Sequence, residues 1–333
     1  MKNKLNPPPR FQLAMTPTPL EVFSLSPAPK SGIEIFIKRD DLTGSELTGN
    51  KIRKLEFILY DAINRQADTL ITCGGIQSNH CRAAAALAAR VGLDCELIVK
   101  GTKPAIPDGN LLLSTLFGAK IKYITDAEYE KNIGGILAKH ASALQKRNKN
   151  PYVIPEGASN TLGIWGYFLA GIELKQQLDK AGIDTDYLVC AVGSGGTYAG
   201  LYLAARYLNW TVKIHGIAVC RNSAYFIDRI GRLLKLFIAE NEIDLDVDPA
   251  EILIFDNYIG PGYAKISVNE ANIIKGVAKN AGIILDPAYT SKAMLGLFDQ
   301  IIHGQIREKS NVVFIHTGGL ISLFPYRRKL FGP

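Results

Sequence analysis

The chain has 333 residues, of which 47% are hydrophobic and 21% are charged, and its formal net charge is +7. This length allows one large or two ordinary domains with ample core, and the composition is that of a globular, soluble protein. No apolar run approaches the roughly eighteen residues of a membrane span. The basic residues are scattered and not interleaved with aromatic residues, which favours a solvated surface over a nucleic-acid site.

Cysteine and histidine usage narrows the class further. The cysteines are odd in number, scattered, and never form a Cys-x-x-Cys pair, which is typical of a protein from a reducing cytoplasm. No histidines pair at the spacing of metal ligands, so we expect no catalytic metal. The segment from Met1 to Arg10 contains consecutive prolines and no apolar stretch, and it predicts no secretion signal. The cysteines are Cys73, Cys81, Cys95, Cys190 and Cys220.

Short β-branched runs alternate with amphipathic helical patterns along almost the whole chain. This alternation predicts an α/β fold with parallel sheets covered on both faces. There are too many units for one typical open sheet, so we expect two α/β layers. The break should lie near Pro151–Gly163, where residues 155–163 have the composition of a loop. The predicted strands are Glu34–Lys38, Thr69–Cys73, Cys95–Lys100, Lys120–Ile124, Tyr187–Val192, Lys213–Val219, Glu251–Phe255 and Asn311–His316, and the predicted helices include Asn79–Val91, Asn110–Phe117, Tyr129–Arg147, Leu162–Lys180, Thr197–Leu208 and Val268–Ala281.

An additional helix is predicted directly after a polar turn. Apolar residues recur at helical spacing from Ile52 to Ile63, and Asn50 is a favoured cap residue, so this helix should begin near Asn50. Lys51 then lies in the first turn, at the helix end that carries positive partial charge. This position favours the neutral, nucleophilic amine, whereas most lysines at helix ends are solvated surface residues.

A glycine-containing turn follows the strand predicted at Thr69–Cys73, and ligands gather at such strand ends in open α/β sheets. Gly74 and Gly75 precede Ser78 and Asn79, which open an alanine-rich helix. Free backbone N–H groups and two polar side chains make this turn a small anion site for a carboxylate or a phosphate. Ordinary helix capping is the more common explanation of such residues.

A second turn, from Val192 to Thr197, has glycines and hydroxyl side chains between a strand and a helix. Backbone amides and the helix dipole make such a turn a phosphate cradle. It lacks the Gly-Lys-Ser/Thr ending of a nucleoside-triphosphate loop, and it is too short for the dinucleotide fingerprint. A single phosphate monoester suits it better, and a plain tight turn is the alternative.

Two further loops each carry a tyrosine, Tyr263 and Tyr289, and the second leads into a helix that we expect Thr290 or Ser291 to cap. Tyrosines in such loops can act as acids or hydrogen-bond donors, but most are packing residues with a hydrated hydroxyl. His316 ends the last predicted strand. We expect it to be a histidine with satisfied hydrogen bonds beneath the site rather than a site residue.

A reactive lysine, a cradle for one phosphate and a carboxylate site together meet the requirements of pyridoxal 5′-phosphate chemistry on an amino acid. The chain resembles the D-cysteine desulfhydrase and 1-aminocyclopropane-1-carboxylate (ACC) deaminase family of tryptophan synthase β-subunit-like, fold type II enzymes. The resemblance covers nearly the whole chain, from about Pro17 to the His-Thr-Gly-Gly turn at 316–319. Its motifs are Lys38-Arg39-Asp40-Asp41, Gly49-Asn50-Lys51-Ile52-Arg53-Lys54-Leu55-Glu56, Gln77-Ser78-Asn79-His80 and Leu285-Asp286-Pro287-Ala288-Tyr289.

The resemblance implies an architecture. It consists of two three-layer α/β domains with mostly parallel twisted sheets and pyridoxal phosphate in the cleft between them. The large cofactor-binding domain would comprise residues 1–50 and 164–333, and the small α/β domain residues 51–163. A homodimer acting on a small amino acid substrate is also implied.

The resemblance also implies roles for individual residues. Lys51 is the Schiff-base lysine and the base or acid at the substrate α-carbon. Asn79 hydrogen-bonds the ring oxygen of the cofactor, and Ser78 faces the substrate. Tyr263 and Tyr289 line the substrate side, where the ring-opening deaminases use the latter tyrosine in catalysis. The phosphate is bound by Gly193, Ser194, Gly195, Gly196 and Thr197, with help from Lys54.

Two positions discriminate within the family. The deaminases have glutamate and leucine where this chain has Thr290 and Thr317, and the desulfhydrases have threonines. A carboxylate beside the pyridine nitrogen keeps it protonated and makes the ring a strong electron sink, which the opening of a cyclopropane needs. A neutral threonine gives a weaker sink, which suffices for α,β-elimination. We therefore expect a lyase that converts D-cysteine, or an analogue such as β-chloro-D-alanine, to pyruvate, ammonia and sulfide or chloride.

Three alternatives stay open. The first is an ACC deaminase, which would release 2-oxobutanoate and ammonia. The second is an enzyme for other β-substituted amino acids, such as L-serine, L-cysteate or diaminopropionate. The third is a non-catalytic protein that binds the cofactor or an amino acid. Departures from the family leave the substrate and its handedness undecided; they are Glu156-Gly157-Ala158-Ser159, Trp165, Ala264 and Ser291.

Overall fold

The computed structural model describes residues 5–24 and 32–332. Residues 1–4 of the segment for which we predicted no secretion signal lie outside the described residues. Its strands are β1 (Leu20–Val22), β2 (Glu34–Lys38), β3 (Thr69–Gly75), β4 (Asp94–Lys100), β5 (Lys120–Ile124), β6 (Pro151–Val153), β7 (Tyr187–Val192), β8 (Lys213–Ala218), β9 (Leu253–Phe255) and β10 (Asn311–Ile315). They form a six-stranded sheet in the order β1-β2-β10-β7-β8-β9 and a four-stranded sheet in the order β5-β4-β3-β6. The pair β1–β2 is antiparallel and the other pairings are parallel, which confirms the predicted α/β class.

Helices connect the strands and cover both sheets. They are α1 (Lys51–Asn64), α2 (Asn79–Arg90), α3 (Gly109–Leu116), α4 (Asp126–Gln145), α5 (Thr161–Ala181), α6 (Gly196–Tyr207), α7 (Ser223–Glu240), α8 (Val268–Ala281), α9 (Thr290–Ile302) and α10 (Arg327–Phe331). Short 3-10 helices occur at Asp40–Leu42, Glu156–Ala158, Pro249–Glu251 and Leu320–Tyr326. No helix in the described ranges has both the length and the apolar character needed to cross a bilayer.

The larger sheet is the middle of three layers. Along β7 the side chains alternate between two cores, because successive residues of a strand point to opposite faces. Leu188 and Cys190 pack with apolar residues of α5, α6 and α7. Val189 and Ala191 pack with apolar residues of α8 and α9. Strands buried on both faces need an almost continuous apolar sequence, and β7 has one.

The smaller sheet is covered in the same way. Leu70 and Leu97 contribute to a core with α1 and α2, and Ile71 and Ile98 contribute to a core with α4 on the opposite face. This arrangement confirms two three-layer α/β units. The proposed domain boundaries, at residues 50 and 163, stay a prediction. The larger sheet takes its strands from before and after the part of the sequence that forms the smaller sheet.

Some elements were not predicted. The strands β1 and β6 have three residues each and lie at sheet edges, and so short a run cannot show alternation. The strand β6 lies at the predicted break between the two units, and α5 begins at Thr161, inside residues 155–163, which we expected to be loop. The amphipathic helix α7 was also missed.

Candidate active site

A cavity of about 580 Å³ opens at the carboxyl ends of β3, β7 and β10, beside the first turns of α1, α2 and α6. Both sheets contribute to its wall. In a parallel α/β fold this is where ligands bind. The cavity brings together most of the predicted site residues, namely Lys51, Ser78, Asn79, Gly193, Ser194, Gly195, Thr197, Tyr263, Tyr289 and Thr317.

Lys51 is the first residue of α1, as predicted, and its side chain is buried in the cavity wall. Burial lowers the pKa of Lys51 to about 8, and the negative charge of Glu156 opposes this shift. Burial is the larger of these two influences on the pKa of Lys51. A lysine with such a pKa is partly a neutral amine near neutral pH, which is what nucleophilic attack on a carbonyl requires.

Asn50 precedes α1 but does not cap it with its side chain, contrary to the sequence-based expectation. Its backbone is already helical, whereas a capping side chain needs an extended one. Its Nδ2 instead donates to Thr197 Oγ1 at 3.0 Å, and its backbone N–H donates to the carbonyl of Thr317 at 3.0 Å. Asn50 thus joins the start of α1 to the start of α6 and to the turn after β10.

Charged residues further along α1 hold the helix in place. Arg53 is buried and hydrogen-bonds Asp40 and Glu173, each through two contacts of 2.9 Å. Glu56 accepts a hydrogen bond from the backbone N–H of Leu13 at 2.6 Å. The motif that carries the family resemblance is therefore largely a set of anchors for the helix that presents the lysine.

Lys54 lies one turn after Lys51, fully buried behind the cavity wall. Its Nζ donates to the carbonyl of Gly157 at 2.9 Å and to Ser159 Oγ at 3.0 Å. Burial, and then the positive charges of Lys51 and Arg229, hold the pKa of Lys54 well below its ordinary value. An anion bound nearby would stabilise this ammonium.

The glycine turn before α6 leaves space only for backbone. Gly195 has φ +89°, a conformation that favours glycine. A Cβ added to Gly196 would lie 2.6 Å from both Lys54 Nζ and Ser159 Oγ. Ser159 Oγ also contacts Ser194 Oγ at 2.7 Å. Amide groups at the helix start, hydroxyl groups and the buried amine of Lys54, which a bound anion would help to protonate, fit a phosphate monoester.

Asn79 is oriented by Asn110, whose Nδ2 donates to Asn79 Oδ1 at 2.9 Å. Asn110 is itself held by Arg82 and by the carbonyl of Gln77, at 3.1 Å and 3.0 Å. Asn79 lines the cavity, and an amide whose oxygen already accepts a hydrogen bond can still donate through its Nδ2. Such a donor fits the hydrogen bond to the ring oxygen of the cofactor that we predicted.

Ser78 has two roles in the structure. Its Oγ accepts a hydrogen bond from the backbone N–H of Cys81 at 3.2 Å, so it caps α2. It also lines the cavity. The capping that we considered the commoner explanation is present, and it fixes the hydroxyl at the cavity wall.

Tyr263 and Tyr289 form a pair. Their hydroxyl oxygens are 2.7 Å apart, and their rings meet edge to face at 5.8 Å between centroids. Burial raises the pKa of both phenols, so both are protonated at neutral pH. One hydroxyl of such a pair can donate to a ligand while it accepts from the other.

Thr317 lines the cavity, but Thr290 does not. The hydroxyl of Thr290 donates to Asp286 Oδ1 at 2.8 Å and accepts from the backbone N–H of Asp286 at 2.6 Å. The hydroxyl of Thr290 is therefore hydrogen-bonded to the buried carboxylate of Asp286. The position of Thr290 beside the cofactor ring stays a prediction. The helix α9 begins without the side-chain cap that we expected from Thr290 or Ser291.

His316 has the satisfied hydrogen bonds that we predicted. Its Nε2 donates to the carbonyl of Ile284 at 3.0 Å, and its Nδ1 accepts from the backbone N–H of Gly318 at 3.2 Å. It supports the turn that carries Thr317.

Sequence reasoning missed several residues at the site. Ser159 and Arg229 bracket the glycine turn, since Arg229 Nε donates to the carbonyl of Ser194 at 3.0 Å. His80 Nε2 bonds Thr72 Oγ1 at 2.7 Å, and its buried Nδ1 has no partner in the part of the chain that the structure describes. Short-range spacing gives no signal for the contacts of Ser159 and Arg229 with Ser194, which join residues 35 positions apart.

Comparison with known proteins agrees with this geometry. A family model for pyridoxal-phosphate dependent enzymes matches residues 11–318. A Thermotoga maritima protein named "Putative 1-aminocyclopropane-1-carboxylate deaminase" is 43% identical over 323 residues, which cover 96% of this chain and 99% of that protein. An Arabidopsis thaliana protein named as a mitochondrial bifunctional D-cysteine desulfhydrase/1-aminocyclopropane-1-carboxylate deaminase is 41% identical, covering 94% of this chain and 79% of that protein.

Solved structures show the same architecture. The crystal structure of an ACC deaminase homologue has a TM-score of 0.85 at 37% identity and covers 97% of this chain and 95% of its own. The structure of O-ureido-L-serine synthase has a TM-score of 0.66 at 16% identity, covers 93% of this chain and 92% of its own, and shows a shared fold. With its lysine, its phosphate cradle and a family match from residue 11 to residue 318, the chain belongs to the fold type II pyridoxal-phosphate dependent enzymes, and its cofactor is pyridoxal 5′-phosphate.

Proposed function

We propose that this lyase catalyses the α,β-elimination of D-cysteine, or of a close β-substituted D-amino acid. D-Cysteine and one water would yield pyruvate, ammonia and hydrogen sulfide. The observation that carries the proposal is the pair of neutral residues Thr290 and Thr317, at positions where the family resemblance gives threonines to the desulfhydrases. Thr317 lines the cavity, and the buried Asp286 nearby accepts its hydrogen bonds from Thr290 and from backbone amides.

The bound cofactor supplies an electron sink for charge that develops at the substrate α-carbon. Lys51 is the group that moves the proton at that carbon, because its pKa of about 8 allows both protonation states near neutral pH. Asn79 and the glycine turn orient the cofactor. Tyr263 and Tyr289 are protonated and close the substrate side, where they can donate a hydrogen bond to the leaving group.

ACC deamination is the second candidate. The names of both relatives include this activity, and the second of them is also named for D-cysteine desulfhydration. The hydroxyl pair of Tyr263 and Tyr289 supports it as well, because the resemblance assigns Tyr289 to ring opening in the deaminases.

Products separate the two activities. Purified protein with cofactor is incubated with D-cysteine, L-cysteine or ACC, and pyruvate, 2-oxobutanoate and sulfide are measured. We expect pyruvate and sulfide from D-cysteine, and a kcat/KM for ACC that is lower by a factor of about 100 or more, since a weaker sink raises that barrier by several kcal/mol. Turnover of ACC as fast as that of D-cysteine would contradict the proposal.

A further inference from the structure

The cavity contains charged side chains that the proposed mechanism does not use. Glu130 pairs with Lys100 at 3.1 Å and forms a second ion pair with Arg221. Arg229 donates to the carbonyl of Ser194 in the phosphate cradle. Lys100 and Arg221 are therefore paired with the carboxylate of Glu130, and Arg229 is hydrogen-bonded at the phosphate cradle.

Glu156 is in a different situation. It lines the cavity, and its Oε1 accepts a hydrogen bond from the Tyr129 hydroxyl at 2.5 Å. Tyr129 is neutral, because burial raises the pKa of its phenol. No ion pair among the described residues includes Glu156. A carboxylate whose hydrogen-bond donor is neutral retains the capacity to bind a cation.

The position of Glu156 places this charge near the reacting groups. The next residue is Gly157, where an added Cβ would lie 3.5 Å from Lys51 Nζ. The negative charge of Glu156 acts on Lys51, and on the tyrosine pair Tyr263 and Tyr289. The carboxylate is thus close to both the cofactor lysine and the predicted substrate side.

We propose that Glu156, held by Tyr129, is a specificity-determining residue that selects amino acids by the charge of their side chains. Its carboxylate favours neutral or cationic groups, such as a thiol or an ammonium, and disfavours carboxylate and sulfonate groups. Attraction and repulsion between unit charges act over a few ångströms and are stronger beside protein than in bulk water, so they can change the relative affinities of two ligands. The inference rests on the proposed function only in requiring that the substrate is an amino acid bound beside the cofactor.

Binding can be measured without turnover. The cofactor-loaded enzyme is titrated with aspartate and with 2,3-diaminopropionate, each as the D- and the L-enantiomer. The change in visible absorbance gives the dissociation constants. Where a ligand is turned over, the absorbance is extrapolated back to the time of mixing. We expect 2,3-diaminopropionate to bind more tightly than aspartate. In Glu156→Gln the ratio of the two affinities should move towards aspartate by about tenfold or more, which corresponds to the loss of one charge-assisted contact.

Two variants serve as comparisons. Glu240→Gln removes the same charge from an exposed position at the end of α7 and should leave the ratio at the wild-type value. Tyr129→Phe keeps the carboxylate but removes its hydrogen bond, so the ratio should change less than in Glu156→Gln. Glu156→Ala provides a second test should the glutamine variant fold poorly, as judged by circular dichroism.

A ratio within about twofold of wild type in both Glu156 variants would overturn the proposal, because that is the error expected of such comparisons. This outcome is independent of whether D-cysteine is a substrate. Conversely, absence of pyruvate from D-cysteine together with a shifted binding ratio would reject the proposed function and retain the role of Glu156.

Discussion

Buried charge surrounds the lysine that defines the site. Lys51 has a lowered pKa because it is buried, and Arg53, two residues on, is held by Asp40 and Glu173. Lys54 lies behind the glycine turn. Each charged residue of the motif therefore acts on a different part of the site, and only one of them is placed to attack a carbonyl.

The pKa of Lys51 predicts how cofactor capture depends on pH. Capture requires the neutral amine, so its rate in cofactor-free protein should rise with pH and level off above about 8. The increase in visible absorbance after addition of pyridoxal phosphate measures it. Glu156→Gln should move the midpoint to lower pH, because the carboxylate raises the pKa of Lys51. A rise that continues to the ordinary lysine value of 10.5 would contradict the assignment.

The ion network beneath α1 predicts a stability effect. Asp40→Asn removes the charge of one of the two carboxylates that pair with the buried Arg53 and should lower the free energy of unfolding by about 3 kcal/mol. Denaturant titration at neutral pH measures this loss. As a control, Arg206→Gln breaks an exposed ion pair with Glu251 and should cost about 1 kcal/mol or less.

The same network has a defined pH dependence. Burial alone would raise the pKa of Asp40, but the charge and hydrogen bonds of Arg53 hold it below its ordinary value of 3.8 in the folded protein. Its contribution is therefore fully present above the pKa of the unfolded chain and is lost as the pH falls through the folded pKa. The stability difference between wild type and Asp40→Asn should shrink in acid below about 3.8. A difference that stays constant through this range would argue against the ion pair.

At the scale of elements, the start of α6 is the most constrained part of the site. Gly196→Ala would place a methyl group 2.6 Å from Lys54 Nζ and Ser159 Oγ. We expect this variant to bind pyridoxal phosphate at least about tenfold more weakly, because the hydrogen bonds of the cradle must separate. Equilibrium dialysis or absorbance titration measures the affinity.

A matched substitution separates this effect from that of alanine itself. Gly276 lies inside α8, and a methyl group added there would have no atom of the described residues within 4 Å beyond its own helix backbone and chain neighbours. Gly276→Ala should leave cofactor affinity unchanged and stabilise the protein by about 1 kcal/mol, the helix preference of alanine over glycine. Equal loss of affinity in both variants would show that the cradle is not specific to the glycine turn.

Most elements could be predicted, for a physical reason. Strands such as Tyr187–Val192 are buried on both faces and form uninterrupted apolar runs, which the sequence displays directly. The edge strand β6 has three residues and gains its stability from pairing with β3, a partner far away in the chain. The absence of a side-chain cap at Asn50 also depends on a distant residue, because the Asn50 side chain donates its hydrogen bond to Thr197.

At the scale of the whole molecule, residues that follow strands of both sheets line the cavity. The motifs locate Lys51 and the glycine turn separately, but Ser159, Arg229 and Asn110 become visible only when distant segments are brought together. The hydrogen bond from the Thr290 hydroxyl to the buried Asp286 could not be predicted either. Family resemblance supplies the residues of a site more readily than the contacts among them.

The homodimer implied by the resemblance stays a prediction. Light scattering after gel filtration should give a mass of about twice 36.4 kDa for the purified protein. A mass equal to that of one chain at micromolar concentration would contradict it.

The most direct test of the account concerns Lys51 itself. Protein loaded with pyridoxal phosphate is reduced with borohydride, digested, and mapped by mass spectrometry. We predict that the cofactor is found on the peptide that contains Lys51, and that Lys51→Ala folds, as shown by circular dichroism, but carries no reduced cofactor and releases no pyruvate from D-cysteine. A cofactor fixed to another lysine, or a Lys51→Ala variant that retains pyruvate release, would contradict it.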